Sequence, residues 1–127
     1  MNKQITLKKQ IQELLAENII YLNYIGVFKE NKEEVFSVAD SNYDSTFDLN
    51  FVHAFTSISA IRNKNNEKED LLGCMRSFFI NYKEASYYCE QVESNYLLIV
   101  FKKGFENLGF MVHLISKLKE GLIQANS

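Results

Sequence analysis

Apolar residues recur along the first stretch of the chain at helical spacing: Leu7, Ile11, Leu14, Leu15 and Ile19 fall on one side, and Lys8, Lys9, Gln12 and Glu13 on the other. That period predicts an amphipathic helix from Ile5 to about Ile19, with one face covering a core. In the next stretch, YIGVFKENKEEVFSVAD, two runs of β-branched and aromatic residues flank the polar turn ENKE. Val35, Ser37 and Ala39 alternate with Phe36 and Val38 in the second run, the pattern of a β-hairpin. SNYDST reads as a loop, and Asp48 is a suitable N-cap for a second helix from Leu49 to about Lys64. The apolar set of that helix, Phe51, Val52, Ala54, Phe55, Ile58 and Ile61, spans more than the ~100° stripe of a surface helix, so it is expected to pack on two bodies at once.

NKNNEKED, residues 63 to 70, is a solvated loop by its charge. Beyond it, Cys74 to Tyr82, Ser86 to Glu93 and Asn95 to Lys102 read as three strands joined by the tight turns KEA and ESN. Tyr96 to Phe101 is apolar at every position, which suits a central strand covered on both faces. Leu108, Met111, Val112, Ile115, Leu118 and Leu122 then share one face of a closing helix, with His113, Lys117, Glu120 and Gln124 opposite. Gly109 within that helix costs up to about 1 kcal/mol against alanine, and is expected to mark close backbone packing on the sheet. The fold class is therefore α+β, in the order α-β-β-α-β-β-β-α, with a five-stranded antiparallel sheet and helices on both faces.

In LIVFKKGFENLGFMVHLISKL an apolar strand passes through a short polar turn into a helix opening Asn107-Leu108-Gly109. This closing pattern, with the element order, resembles the Roadblock family of dynein light chains and small-GTPase scaffolds. The motif covers about twenty residues, and the element order nearly the whole chain. One departure is the hairpin turn: many members carry a Gly-rich or Asp-Gly turn where this chain has Glu30-Asn31-Lys32-Glu33. The resemblance implies a single Roadblock-like (Roadblock/profilin-like) domain over residues 1–127. It also implies a dimer in which the second helices pack together and the third strands pair edge to edge into a continuous ten-stranded sheet. The broad apolar arc of the second helix and an aromatic third strand at a sheet edge point the same way. The residues selected for that interface are Phe51, Val52, Phe55 and Ile58 on the helix and Met75, Ser77, Phe79 and Asn81 on the strand.

Length and composition narrow the function classes. With 127 residues the chain is long enough to bury a core without disulfide or metal staples. Ten Phe and seven Tyr, with no Trp, supply more aromatic surface than a small core requires, leaving some for an interface. Proline is absent, so Gly, Asn, Asp and Ser must set the boundaries. Fourteen basic and sixteen acidic residues are interspersed for a net charge of −2, which leaves no polybasic face for nucleic acid. The longest apolar run is too short to insert in a membrane, and MNKQITLKKQ lacks a secretory core, so a cytoplasmic protein with reduced cysteines is expected.

No catalytic or cofactor constellation emerges. His53, Cys74, Cys89 and His113 are zinc-type residues, but their spacings of 21, 15 and 24 present no two ligands from one turn, so no metal is expected. Both cysteines read as packing residues, since no cation or helix N-terminus flanks Cys89. Carboxylates at Glu30, Glu33 and Glu34 and at Glu67, Glu69 and Asp70 are turn and loop charges, not acid-base pairs. Glycines at 26, 73, 104, 109 and 121 satisfy no phosphate-loop pattern, and Glu106, expected in the first turn of the last helix, repels phosphate. Phe78, Phe79, Tyr82, Tyr87 and Tyr88 lack the motif and basic surround of an RNA-stacking sheet.

The expected function is thus a non-catalytic dimeric scaffold, pairing with itself or with a paralogue, that binds a small Ras-like GTPase or a GTPase-containing or motor complex. In some relatives the dimer stimulates GTP hydrolysis by positioning the GTPase's own residues; that activity is not assigned to this chain. The alternative from another class is a PAS- or GAF-like small-molecule sensor, with Tyr24, Phe28, Tyr88 and His53 lining its pocket.

Overall fold

The structure, a computed structural model, describes residues 2–44, 50, 52–57, 76–104 and 107–126. Helix α1 (Asn2–Glu17) leads into β1 (Leu22–Lys29) and β2 (Glu34–Ala39). The helical residues 50 and 52–57, here α2, precede β3 (Ser77–Asn81), β4 (Ala85–Val92), β5 (Asn95–Lys102) and α3 (Leu108–Asn126). The five strands form one antiparallel sheet in the order β2-β1-β5-β4-β3, so β5 lies at its centre and β2 and β3 at its edges. The α+β architecture read from the sequence is the one observed.

Local chemistry explains the boundaries. The β1–β2 turn closes by Lys29 N–H donating to the Glu33 carbonyl, while the Asn31 side chain accepts from Glu33 N–H and Lys32 takes a φ of 72°. An Asx turn at Asn31 thus does the work of the Asp-Gly turn that the family pattern favours. Asn107 caps α3, its Oδ1 accepting the Phe110 N–H at 2.9 Å. The helix begins at Leu108 with no acid in its first turn, and Glu106 lies outside the described residues.

The sheet separates two apolar clusters. On one face, α1 and α3 bring Leu7, Ile11, Leu15, Leu114, Leu118 and Leu122 onto Leu22, Ile25, Val27, Leu97, Ile99 and Phe101. On the other, Val52 and Phe55 of α2 meet Tyr24, Phe28, Cys89, Leu98 and Val100. Leu97 to Phe101 are all 0% exposed because alternate residues of β5 serve opposite clusters. One extra residue in β1 keeps this division consistent: Leu22 pairs with Phe101 and Tyr24 with Val100, so the β-bulge at Asn23 turns Leu22 and Tyr24 to opposite faces. A second irregularity, where Val27 pairs with Phe36 and Phe28 with Glu34, breaks the alternation expected of β2 and sets both Val35 and Phe36 against the α1/α3 cluster.

Two expectations for α3 are corrected. Leu108 and Val112 are 67% and 60% exposed, and Leu114, placed on no face by the sequence reading, is buried in their stead. The cause is the sheet's limited width: Leu114, Ile115, Leu118 and Leu122 form the inward stripe, and Leu108 and Val112 lie on its flank. Gly109 is exposed, and a Cβ there meets nothing closer than the capping Asn107 Oδ1 at 3.6 Å. The glycine of close approach is Gly121, where a Cβ would stand 3.0 Å from Leu7 Cδ1 across the α1/α3 contact.

Gly26 has a different role. A Cβ on it would lie 2.4 Å from the Tyr24 hydroxyl and within 2.8 Å of two ring carbons, so its bare backbone is the floor on which the Tyr24 ring rests. Gly26→Ala is expected to destabilise the fold by about 1–3 kcal/mol through displacement of that ring. Gly109→Ala, with open space, is expected to stabilise by a few tenths to about 1 kcal/mol. Urea unfolding of the two variants gives the comparison.

Candidate functional site

The sheet edge at β3 and the outer side of α2 are the surfaces that the sequence nominates, and each is built by what it packs against internally. Val52 and Phe55 point inward and are 0% and 1% exposed in the single chain. The Phe55 ring lies 5.0 Å from Phe78 and 5.8 Å from Tyr96, centroid to centroid. This corrects their selection as dimer contacts: an apolar side chain already covered by its own sheet offers no surface to a neighbour. Asn50, His53, Ala54 and Ser57 face outward instead, so the described part of α2 turns a small-residue, polar side to solvent. Phe51, Ile58 and Met75 lie outside the described residues, as do Asp48, Ile61 and Cys74.

Among the described residues β3 is paired on one side only, to β4, with Ser77 opposite Glu90, Phe79 opposite Tyr88 and Asn81 opposite Ser86. Ser77, Phe79 and Asn81 therefore share the α1/α3 side of the sheet, and Phe78 and Ile80 the α2 side. Phe79 is 40% exposed, its ring edge-on to Phe101 at 6.4 Å, and Tyr82 beyond the strand end is 53% exposed. The Ser86 hydroxyl donates to Asn81 Oδ1, tying the strand's end back to β4. The chain thus brings together three of the four predicted strand residues at one free edge with an aromatic side chain in view.

Next to this edge lies a polar group that periodicity could not reveal. Glu90 on β4 is only 7% exposed, accepts a hydrogen bond from the Tyr88 hydroxyl and receives Lys119 of α3 at 2.7 Å. Ser77 of β3 stands opposite Glu90 in the register. Burial, reinforced by Glu90, holds the Tyr88 hydroxyl protonated far above the ordinary phenol range. The signal in the sequence is a lone glutamate within SYYCEQVE at an inward register; only the pairing shows what answers it. At the other end of the sheet, Lys102 pairs with Asp40 at 2.8 Å, and this hydrogen bond draws the Asp40 carboxyl below its usual range.

The residues of the alternative sensor reading do not converge. Tyr24 and Phe28 are buried in the α2 cluster, Tyr88 packs against the α1/α3 cluster across the sheet, and His53 faces outward. The groove of about 280 Å³ between α1 and α3 is lined mainly by charged and amide side chains such as Gln10, Glu13, Lys117 and Glu120. His53 and His113 lie on helices at opposite faces, and Cys89 is buried on the α2 side. Among the described residues no helix is long and apolar enough to cross a membrane.

Burial also pushes the Cys89 thiol up to about 12. A raised pKa stabilises the fold below the unfolded thiol value near 9, and this contribution is lost as the pH climbs from there toward 12. In a Cys74→Ser background, Cys89 is expected to resist a disulfide reagent at pH 8 until the protein is unfolded; rapid native-state labelling would contradict this. Phe55→Asp is expected to abolish folding, by placing a carboxylate in a closed apolar cluster at a cost of several kcal/mol, which circular dichroism detects.

No protein-family model matches the sequence, and no curated protein matches it. Solved structures do. An MglB with a tetrameric arrangement superposes with a TM-score of 0.72 at 11% identity, covering 98% of this chain and 90% of that one. The gliding protein MglB of Thermus thermophilus gives 0.69 at 14% identity, with 98% and 88% covered. A Roadblock/LC7 domain from Streptomyces gives 0.59 at 10% identity, with 87% and 93% covered. At these identities the likeness lies in the architecture, and the architecture of this chain is the Roadblock/LC7 fold.

Proposed function

We propose that this chain is one Roadblock-like domain acting as a non-catalytic scaffold, which forms a two-fold dimer and holds a small Ras-like GTPase or a complex containing one. The observation that carries the reading is the free edge at β3. A strand paired on one side only among the described residues, with a 40% exposed phenylalanine at its middle, is a surface that proteins either protect or pair. Pairing two such edges about a two-fold axis would extend the sheet to ten strands and bring the outward side of each α2 toward its mate.

The solved MglB structures support the reading at the level of architecture: one is named a gliding protein and another has a tetrameric arrangement, so this fold is found in self-associating chains. For the present chain the contact set is revised. Ser77, Phe79 and Asn81 remain on the strand, and Asn50, His53, Ala54 and Ser57 replace Val52 and Phe55 on the described part of the helix. The small residue Ala54 lets two helices approach closely. A GTPase would bind across the joined α2 helices, and the chain would serve by position, lending no nucleophile or base of its own.

Ala54→Arg tests this reading, because Ala54 is exposed in the single chain and its replacement leaves the internal packing intact. Light scattering is expected to give a dimer for the wild type and a monomer for the variant, with unchanged circular dichroism. A wild type that stays monomeric at all concentrations, or a variant that stays dimeric, would sink the proposed contact. Affinity capture with GTP-loaded and GDP-loaded small GTPases is expected to retain a nucleotide-dependent partner on the wild type and to lose it on Ala54→Arg.

A further inference from the structure

We propose that the partner at the β3 edge is an identical copy of this chain, paired antiparallel in a single register centred on Phe79. The inference rests on the reading of β3 as the pairing edge and goes further, in naming the partner and the match between the two strands.

The direction of the main-chain groups sets the first constraint. At one end of the β3–β4 ladder Tyr82 N–H donates to the Ala85 carbonyl, and at the other Gln91 N–H donates to the Arg76 carbonyl. Bonded residues alternate along an antiparallel strand. Arg76, Phe78, Ile80 and Tyr82 therefore direct their N–H and C=O groups to β4, and Ser77, Phe79 and Asn81 direct theirs to the opposite edge, which no described strand covers. A strand added there has to answer those residues. When it is β3 of a second copy, a two-fold axis at Phe79 engages all of them: Phe79 meets Phe79, and Ser77 meets Asn81 in both directions. Moving the axis to Phe78 or Ile80 leaves Asn81 or Ser77 with no residue of β3 opposite.

Side-chain chemistry selects the same register. On the α1/α3 side the 40% exposed Phe79 ring meets its counterpart. Beside it Ser77 faces Asn81, whose Oδ1 accepts from the Ser86 hydroxyl and whose Nδ2 is a donor for the serine. On the α2 side Phe78 faces Ile80, both half-buried in the single chain. At the ends exposed Arg76 faces Tyr82, which is 53% exposed and stands edge-on to Tyr87. A guanidinium against a phenol ring is a favourable cation–π contact. The run Arg76-Ser77-Phe78-Phe79-Ile80-Asn81-Tyr82 thus reads as a chemical palindrome: cation with aromatic, hydroxyl with amide, apolar with apolar. An axis at Phe78 or Ile80 would instead set Phe79 against Ser77 or Asn81. A different chain would have to carry this order in reverse, so the edge selects its own copy.

Disulfide trapping in the Cys74→Ser background tests the register, Cys89 being buried. Cα atoms of a bonded cross-strand pair stand about 5.5 Å apart, within disulfide reach, whereas four residues along a strand span about 13 Å. Under mild oxidation Phe79→Cys is expected to form a covalent dimer. Ser77→Cys and Asn81→Cys are each expected to form none alone and to cross-link when mixed. A mixed disulfide between Phe79→Cys and either of the other two, resolved by mass spectrometry, would mean a slipped register and overturn this proposal while leaving pairing at β3 intact. Charge exchange gives a second test: Arg76→Glu is expected to weaken the dimer at least ten-fold by light scattering, and Tyr82→Lys added to the same chain to restore it. The two positions lie about 20 Å apart along one strand, so the rescue passes only between copies. Failure of the rescue, with circular dichroism unchanged, would overturn the register. A wild type that stays monomeric at all concentrations, or a dimer that traps at none of these positions, would overturn both the register and the pairing reading beneath it.

Discussion

A strand buried on both faces governs this molecule. β5 presents an unbroken apolar run, and each of its neighbours must supply side chains of alternating destination to close two cores at once. Fully burying side chains of that size gains about 1.5–3 kcal/mol each, which makes β5 the reference for the rest. The consequences propagate outward. β1 needs a bulge at Asn23 to keep Leu22 with one core and Tyr24 with the other, and Gly26 must stay bare so that the Tyr24 ring can lie along its own strand.

Among the described residues two helices lie on one face of the five-stranded sheet. At about 4.8 Å between strands and about 10 Å between packed helices, α1 and α3 roof about four strands. Phe79 lies beyond that roof and is exposed, and Leu108 and Val112 stand on the flank of α3. The roof also explains why a buried carboxylate occurs at Glu90: at its margin a polar group can be both enclosed and reached by a lysine whose stem packs along the helix.

The proposed function is a property of surfaces. Glu90, Tyr88 and Lys119 satisfy one another, Asp40 satisfies Lys102, and the Cys89 thiol is held neutral by burial. Among the described residues these groups are thus paired or shielded, while the edge of β3 and the outer side of α2 are exposed.

Much of this is legible in the residues. The five strands and both terminal helices follow from period and turn chemistry, and the run Tyr96 to Phe101 announces a doubly covered centre, because a strand with no polar face has no place at a surface. What period cannot supply is azimuth. By period Val52 and Phe55 are surplus apolar area, yet they face the sheet; by period Leu108 and Val112 are core, yet they clear it. Each error is a rotation of a helix about its own axis, and that rotation is set by the width and twist of the sheet beneath, which exist only once β1, β4 and β5 have paired. The Glu90–Lys119 pair belongs to the same class: the two residues are far apart along the chain and adjacent only across layers. Sequence by itself determined which segments are helix and strand and which strand lies deepest, since these depend on local spacing. Tertiary structure alone decided which side chains are left for a partner, since exposure is a property of what else has already packed.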